Sequence, residues 1–270
     1  MVAHHRDTPL AERYLDVAES DLRAADLLFK NKFYPQALFY LQQSVEKAVI
    51  AVLLHGGRYG DLIRQITTRN KANRHPIHHQ MVRHSFTHLS QELRRFVTNL
   101  RRIKLFGMTA DQYLNQVLER YERYSNADVT TIIDNISRIE EDLRNLRMVE
   151  QQLAEQPNEI ENIIRQIDGH RFDIGEKIRK LFGGLIEGRV KDLSIQVQIH
   201  QSSLYLPLVR LGVLGIITEN FAVVTRYYVR GMNVGPDSFN ELNPVVRAWN
   251  TFYQTALETH NLIRQRLIKK

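Results

Sequence analysis

The chain has 270 residues, of which 43% are hydrophobic, and it carries a formal net charge of +7 with a pI of about 9.6. The apolar share is enough for a packed core and excludes wholesale disorder, while the charge favours anionic partners, with nucleic acid ahead of a membrane surface. The absence of cysteine excludes disulfides, thiolate nucleophiles and Cys-ligated zinc, and it fits a reducing compartment, so we expect a cytoplasmic protein.

Two amphipathic helices are predicted near the N-terminus. Thr8-Pro9 is typical of a helix start, and apolar residues recur from there at intervals of three and four to about Lys30. A second helix is predicted from Pro35 to the stop at Gly56-Gly57. The first seven residues lack the apolar core of a signal peptide.

The stretch from residue 58 to residue 104 is more positively charged than the chain as a whole. It has eleven Lys or Arg against two acids, a net charge of +9, and five of the eleven histidines. Residues 57–80 are predicted to form a loop, and a third helix with an Arg-rich outer face is predicted from about Ser85 to Lys104. Such a combination favours a site that holds a polyanion and can cut it, with a solvated basic surface as the alternative.

The middle of the chain has a different pattern. From Val129 to Leu153, apolar residues alternate at three and four with charged residues between them, which predicts a helical hairpin or a coiled-coil seam. The seam residues are Ile132, Ile136, Ile139, Leu143 and Leu146. Pro157 is expected to start another short helix, and the glycines that follow predict a less regular region up to about residue 201.

The C-terminal part is again predicted to be helical. The segment from Leu208 to Arg230 is apolar almost all round, and since Pro207, Arg210 and Glu219 interrupt the wider window, we expect a buried helix instead of a membrane span. A turn-rich link then leads to a last helix capped by Asn243-Pro244. Its predicted inner side comprises Val246, Trp249, Tyr253, Ala256, Leu257, His260 and Ile263.

Several of these segments together resemble the HEPN domain family. The second helix has the Tyr-x-x-Ala opening of that family and its Gln-x-x-Glu-Lys-Ala element, here Gln43-Ser-Val-Glu46-Lys47-Ala48. His88-Leu89-x-x-x-Leu93 is similar to the start of the family's third helix, and Arg226-Tyr227-Tyr228 matches two of three residues of its Arg-Tyr-Pro element. The resemblance implies an all-α, up-and-down helical bundle of four to five core helices. Residues 8–106 and 202–270 would form the bundle, and residues 107–201 a helical insertion.

The resemblance also implies a function. HEPN proteins bind nucleotides or RNA, and many are metal-independent endoribonucleases of toxin–antitoxin systems, paired with a minimal nucleotidyltransferase. Their site is an Arg, a polar residue and a His a few positions on, doubled by dimerisation. Arg83 and His88 match this spacing, and Arg69 and His75 are the alternative pair. In such a site the His accepts the ribose 2′-hydroxyl proton while the Arg holds the phosphate oxygens.

These expectations define the predicted ligands and partners. We expect RNA or a nucleotide as ligand, a homodimer, no cofactor, no metal and no membrane. His84 and His88 are four residues apart, as zinc ligands can be, but no helical Asp or Glu with ligand spacing accompanies them. The predicted RNA-binding residues are Arg69, Lys71, Arg74, Arg94, Arg95, Arg101, Arg102 and Lys104.

Other readings of the same residues stay open. His88 could simply cap or pack at the start of the third helix. The chain could be a non-catalytic interaction protein, such as the partner subunit of a minimal nucleotidyltransferase. It could also be an all-α scaffold whose basic loop contacts nucleic acid non-specifically.

Overall fold

The computed structural model describes residues 8–55, 104–105, 108–154, 187–228 and 233–265. These ranges are helical apart from one 3₁₀ turn, the connecting loops and one two-stranded antiparallel hairpin, so the all-α prediction is confirmed. In chain order the elements are α1 (Thr8–Lys30), α2 (Tyr34–His55), β1 (Lys104–Leu105), β2 (Met108–Thr109), α3 (Ala110–Tyr124), α4 (Val129–Asp134), α5 (Ile136–Ala154), α6 (Glu187–Val224), the 3₁₀ turn Pro236–Ser238, α7 (Pro244–Arg247) and α8 (Trp249–Ile263).

The first two helices form a hairpin, and both begin and end close to the predicted positions. Lys32, two residues after the end of α1, has a backbone conformation in the left-handed region, with a φ of 65°. Its N–H donates to the carbonyl of Phe29, and the N–H of Phe33 donates to that of Leu28, each over 2.9 Å. This is a Schellman closure, which satisfies the last carbonyls of α1 and reverses the chain into α2. The facing apolar stripes are Leu15, Ala18, Leu22 and Ala25 against Ala37, Leu41, Val45 and Ala48.

Helix α6 is the central helix of the bundle. It packs against α2, α5 and α8, and from Leu206 to Val224 most of its residues are buried, as the all-round apolar pattern predicts. Its N-terminal part corrects the sequence analysis, because α6 begins at Glu187 and residues 187–201 are helical instead of irregular. The segment has no glycine or proline between Gly188 and Pro207, so a helix can extend through it at little cost.

The seam predicted in the middle of the chain is buried. Ile132, Ile136, Ile139, Leu143 and Leu146 all belong to the core, where α5 packs against α6 and α8. Asp142 of α5 is fully buried, accepts hydrogen bonds from Arg120 and from the Tyr121 hydroxyl, and so ties α5 to α3. The division of the chain at residues 106 and 201 stays a prediction.

The C-terminal helices close the bundle against its N-terminal end. The Asn243 side chain accepts from the Val245 N–H over 2.9 Å and caps α7, as predicted. A break at Ala248 then separates α7 from α8, so the single helix expected there is two. Trp249 stacks on Phe29 of α1 with a centroid distance of 4.4 Å.

A second contact joins α1 to the end of the last helix. Arg264, just after α8, donates to Glu19 over 2.7 Å and to Asp16 over 2.6 Å. Residues near the two ends of the chain therefore pack together, as the bundle prediction requires.

Within the ranges that the structure describes, two segments are long and apolar enough to cross a membrane by length and composition alone. They are α2 and the part of α6 from Leu206 to Val224. Inside the protein, 67% of the apolar window is buried in α2 and 78% is buried in the α6 segment. Core helices of water-soluble bundles pass the same test. The Leu206–Val224 burial agrees with the buried helix predicted there.

Candidate nucleic-acid interface

The basic stretch is framed at its two ends by described elements. Helix α2 ends at His55, and the next described residue is Lys104 in β1. The predicted catalytic residues Arg83, His88, Arg69 and His75 lie outside the described residues, and so do the predicted RNA-binding residues Lys71, Arg74, Arg94, Arg95, Arg101 and Arg102. Lys104 lies in strand β1, which corrects its predicted position at the end of the third helix.

A short hairpin carries the chain from the basic stretch into α3. Lys104 pairs with Thr109 and Leu105 with Met108. The Thr109 N–H donates to the Gln112 side chain over 3.1 Å, in a capping box that begins α3. The backbone at Lys104, the last residue of the basic stretch, is therefore paired with the N-cap residue of α3.

The Gln-x-x-Glu-Lys-Ala element forms a chain of polar contacts along α2. Lys47 bonds to Asp21 of α1 and donates to Gln43 over 3.3 Å. Gln43 donates to Gln42 over 2.6 Å, and Gln42 donates to the buried Glu46 over 2.7 Å. Lys47 thus pairs across to α1 and not with its sequence neighbour Glu46. The bond from Lys47 to Asp21 joins α2 to α1, and the other contacts satisfy polar groups along α2, so this element contributes to the packing of the helices.

Four side chains at the end of α6 and on α2 form what we call the aromatic–arginine patch: Phe39, Tyr40, Arg226 and Tyr227. The Arg226 guanidinium lies 4.7 Å from the centroid of the Phe39 ring and 5.3 Å from that of Tyr227. Tyr40 meets Phe39 edge-on, with 5.5 Å between centroids. Tyr227 is 59% exposed and Tyr40 37% exposed. The patch is therefore a cation flanked by aromatic rings at the protein surface.

Sequence reasoning treated Arg226 and Tyr227 only as a family likeness, and it missed Phe39 and Tyr40. The signal in the sequence was the adjacent aromatic pair Phe39 and Tyr40 on α2. Neighbouring residues of a helix point in different directions, so the two rings cannot both lie on the face that packs into the core. Bringing α2 to the end of α6 requires the tertiary fold, which no local pattern specifies.

Tyr228, the residue that follows the patch, is held by a hydrogen bond and lies close to the backbone at Gly235. The Tyr228 hydroxyl donates to Asp237, and this bond raises the pKa of Tyr228. A Cβ added at Gly235 would lie 2.6 Å from the Tyr228 ring. Glycine at position 235 therefore leaves the space that the ring occupies beside the loop.

The described part of the chain also has ionisable groups in its interior. Arg210 of α6 is 2% exposed and donates to Glu150 of α5 and to Glu258 of α8, each over 2.9 Å. His260 of α8 is 1% exposed, and neither of its ring nitrogens has a hydrogen-bond partner among the described residues. Burial lowers the pKa of His260 to about 4, and the charge of Arg264 adds to this effect.

Side chains that could bind a metal ion do not cluster in the described ranges. Within them, no three His, Asp or Glu side chains come together as metal ligands would. His78, His79, His84 and His88 lie outside those ranges.

Comparison with known proteins identifies related sequences. The family model described as the HEPN domain matches residues 11–146. Over 47 residues the chain is 45% identical to a curated protein of Methanocaldococcus jannaschii that bears the name "Putative toxin MJ1304"; the matching stretch covers 17% of this chain and 31% of that protein. The chain therefore spans about a third of the length of the curated relative it matches. No solved structure is significantly similar to the chain.

Proposed function

Because the chain belongs to the HEPN domain family, we propose that it is an RNA-binding protein that cleaves RNA without a metal ion, using Arg83 and His88. The observation that carries the proposal is the position of the basic stretch, since the whole of residues 58–104 falls inside the matched segment 11–146. The name of the Methanocaldococcus relative, "Putative toxin MJ1304", supports the same proposal, because the family resemblance associates toxins with RNA cleavage.

The proposed chemistry needs only a base and a fixed cation. A neutral His88 accepts the proton of a ribose 2′-hydroxyl while the oxygen attacks the adjacent phosphorus. The bond from phosphorus to the 5′-oxygen breaks, which leaves a 2′,3′-cyclic phosphate, and the departing 5′-oxygen takes a proton from water. Arg83 holds the non-bridging oxygens as negative charge builds on them. The pair Arg69 and His75 could perform the same two roles, and direct comparison of variants decides between the pairs.

Binding is proposed to depend on the eight cations predicted from the sequence, from Arg69 to Lys104. Each phosphate that they neutralise on single-stranded RNA should add about −0.7 to the slope of log K against log salt concentration. We further propose that two copies of the chain form a dimer, that the two copies of residues 83–88 act on one RNA strand, and that the protein works in the cytoplasm.

The cleavage experiment uses labelled single-stranded RNA in the presence of EDTA. The wild-type protein should cut the RNA, and His88→Ala and Arg83→Ala should each lower the rate by roughly 10²- to 10⁴-fold, because a positioned acid–base group typically contributes that much. His79→Ala, a histidine of the same basic stretch outside both pairs, is the matched control and should cut at the wild-type rate.

The other outcomes are equally informative. A rate that falls in Arg69→Ala and His75→Ala instead would move the site to that pair. Cleavage unchanged by all four substitutions would come from a contaminating nuclease and would contradict the proposal. RNA binding without cleavage, together with co-purification of a small nucleotidyltransferase, would favour the non-catalytic partner-subunit function. Light scattering that finds only a monomer would contradict the dimeric site.

A further inference from the structure

We propose that the aromatic–arginine patch binds single-stranded RNA, with a base stacked on Tyr227 and a phosphate held by Arg226. The inference rests on the proposed RNA-binding function and deepens it, since it assigns base contacts to a surface outside the basic stretch. Phe39 and Tyr40 complete the patch from α2.

The charge of Arg226 is available to a ligand. Its Nε donates to the carbonyl of Ala222 over 2.9 Å, at the end of α6. In the part of the chain that the structure describes, its other contacts are the two rings, and no carboxylate lies within ion-pair distance of it. An exposed guanidinium with a fixed orientation and no carboxylate partner suits a phosphate group.

The aromatic rings provide the second half of the site. More than half of the Tyr227 residue is open to solvent. Tyr40 of the patch is also exposed, and so is Val223, whose carbonyl accepts from the Tyr227 N–H. Every nucleobase has a flat face that can stack on such a ring or on a guanidinium plane. An aromatic face next to a cation that has no carboxylate partner among the described residues therefore matches the alternation of base and phosphate along a single strand.

The same combination argues against a purely apolar protein partner. Covering the patch with an apolar surface would bury the Arg226 guanidinium without a carboxylate or a phosphate, which is unfavourable. A single strand of RNA avoids this penalty because its backbone brings an anion with every base.

Hydrogen bonds hold the backbone that carries Arg226 and Tyr227. The N–H groups of Arg226 and Tyr227 donate to the carbonyl of Val223 over 3.1 and 3.0 Å, which fixes the backbone just after α6. The next residue, Tyr228, is held by its bond to Asp237. A base that stacks on Tyr227 therefore meets a ring on an ordered backbone, which reduces the entropy lost on binding.

The experiment measures the affinity of the full-length protein for two fluorescent single-stranded RNAs of about 12 nucleotides, a length within the usual site sizes. One is normal and the other has the same ribose-phosphate backbone with abasic positions. Tyr227→Ala should weaken binding of the normal RNA by about 5- to 100-fold, in line with the usual effect of removing a stacking ring. Binding of the abasic RNA should be the same for Tyr227→Ala and the wild type.

Three further variants sharpen the test. Tyr227→Phe keeps the ring and should bind normal RNA as the wild type does. Phe33→Ala removes an exposed aromatic side chain that precedes α2, and it should leave the affinity unchanged. Arg226→Ala should weaken binding of both RNAs and make the salt slope less steep by about 0.7.

The possible failures are distinguishable. A wild-type protein that binds neither RNA would overturn the proposed function, and the patch proposal with it. Normal RNA binding by the wild type, with Tyr227→Ala equal to it, would overturn the patch proposal alone. A change of dimerisation in Tyr227→Ala with no change in RNA affinity would also overturn it, because the patch would then contact a second copy of the chain.

Discussion

His260 links the stability of the bundle to pH. Its ring is buried without hydrogen-bond partners among the described residues, and this burial lowers its pKa to about 4. In the unfolded chain the same group titrates near 6.5. Between these two values the unfolded chain binds the proton and the folded chain does not, so the free energy of unfolding must fall as the pH falls through this window.

The expected size of the pH effect is about 3 kcal/mol between pH 7 and pH 4. Denaturant unfolding at both pH values measures this effect. His260→Leu should remove that part of the pH dependence, because leucine is of similar size and has no group that titrates. Tyr253→Leu, a partly buried position on the same helix, serves as the control and should keep the full dependence. Equal pH dependence in the wild type and His260→Leu would contradict this assignment.

At the scale of the elements, Arg210 joins three helices. Its guanidinium on α6 contacts Glu150 on α5 and Glu258 on α8, and Glu258 also accepts from Arg147 over 2.8 Å. Arg210 and Glu150 are both buried. A buried cation of this kind is tolerated only while its carboxylate partners remain, because solvation can no longer compensate it.

Glu150→Gln should therefore lower the free energy of unfolding by about 2–4 kcal/mol, since one charge of the network is removed and the Arg210 charge stays buried. Glu141→Gln on the same helix is the matched control, because Glu141 pairs at the surface with Arg138 over 3.0 Å. Such exposed pairs contribute roughly 1 kcal/mol or less. Equal losses for the two variants in chemical denaturation would show that Arg210 is solvated in solution.

Some parts of the whole molecule could be predicted from local sequence and others could not. The stripes of α1 and α2 and the seam of Ile132 to Leu146 follow the helical period, so burial against a neighbour could be predicted residue by residue. The N-terminal part of α6 was missed because the glycines before it indicated a loop. A helix can extend from a strongly helical segment into its neighbour, and here the segment from Leu206 to Val224 follows. The Lys47–Asp21 contact and the aromatic–arginine patch bring residues from different helices together, so they depend on the tertiary fold.

The order of the helices in the core leads to a prediction for the whole chain. Helices α1 to α5 bury their apolar faces partly against α6 and α8, which lie beyond the segment that matches the family. A fragment of residues 8–154 would therefore expose core residues such as Leu143, and the apolar area exposed would remove part of the driving force for packing.

We expect this fragment to remain helical by circular dichroism but to unfold without a cooperative transition, while the full chain melts cooperatively. Adding a second fragment, residues 187–270, should restore the transition, because α6 and α8 then complete the core. The same second fragment carrying Phe252→Asp is the control and should not restore it, since Phe252 is fully buried on α8 and a carboxylate there would lie in the core. A sharp, cooperative melt of residues 8–154 alone would contradict the prediction, because it would show that this fragment forms a core that is independent of α6.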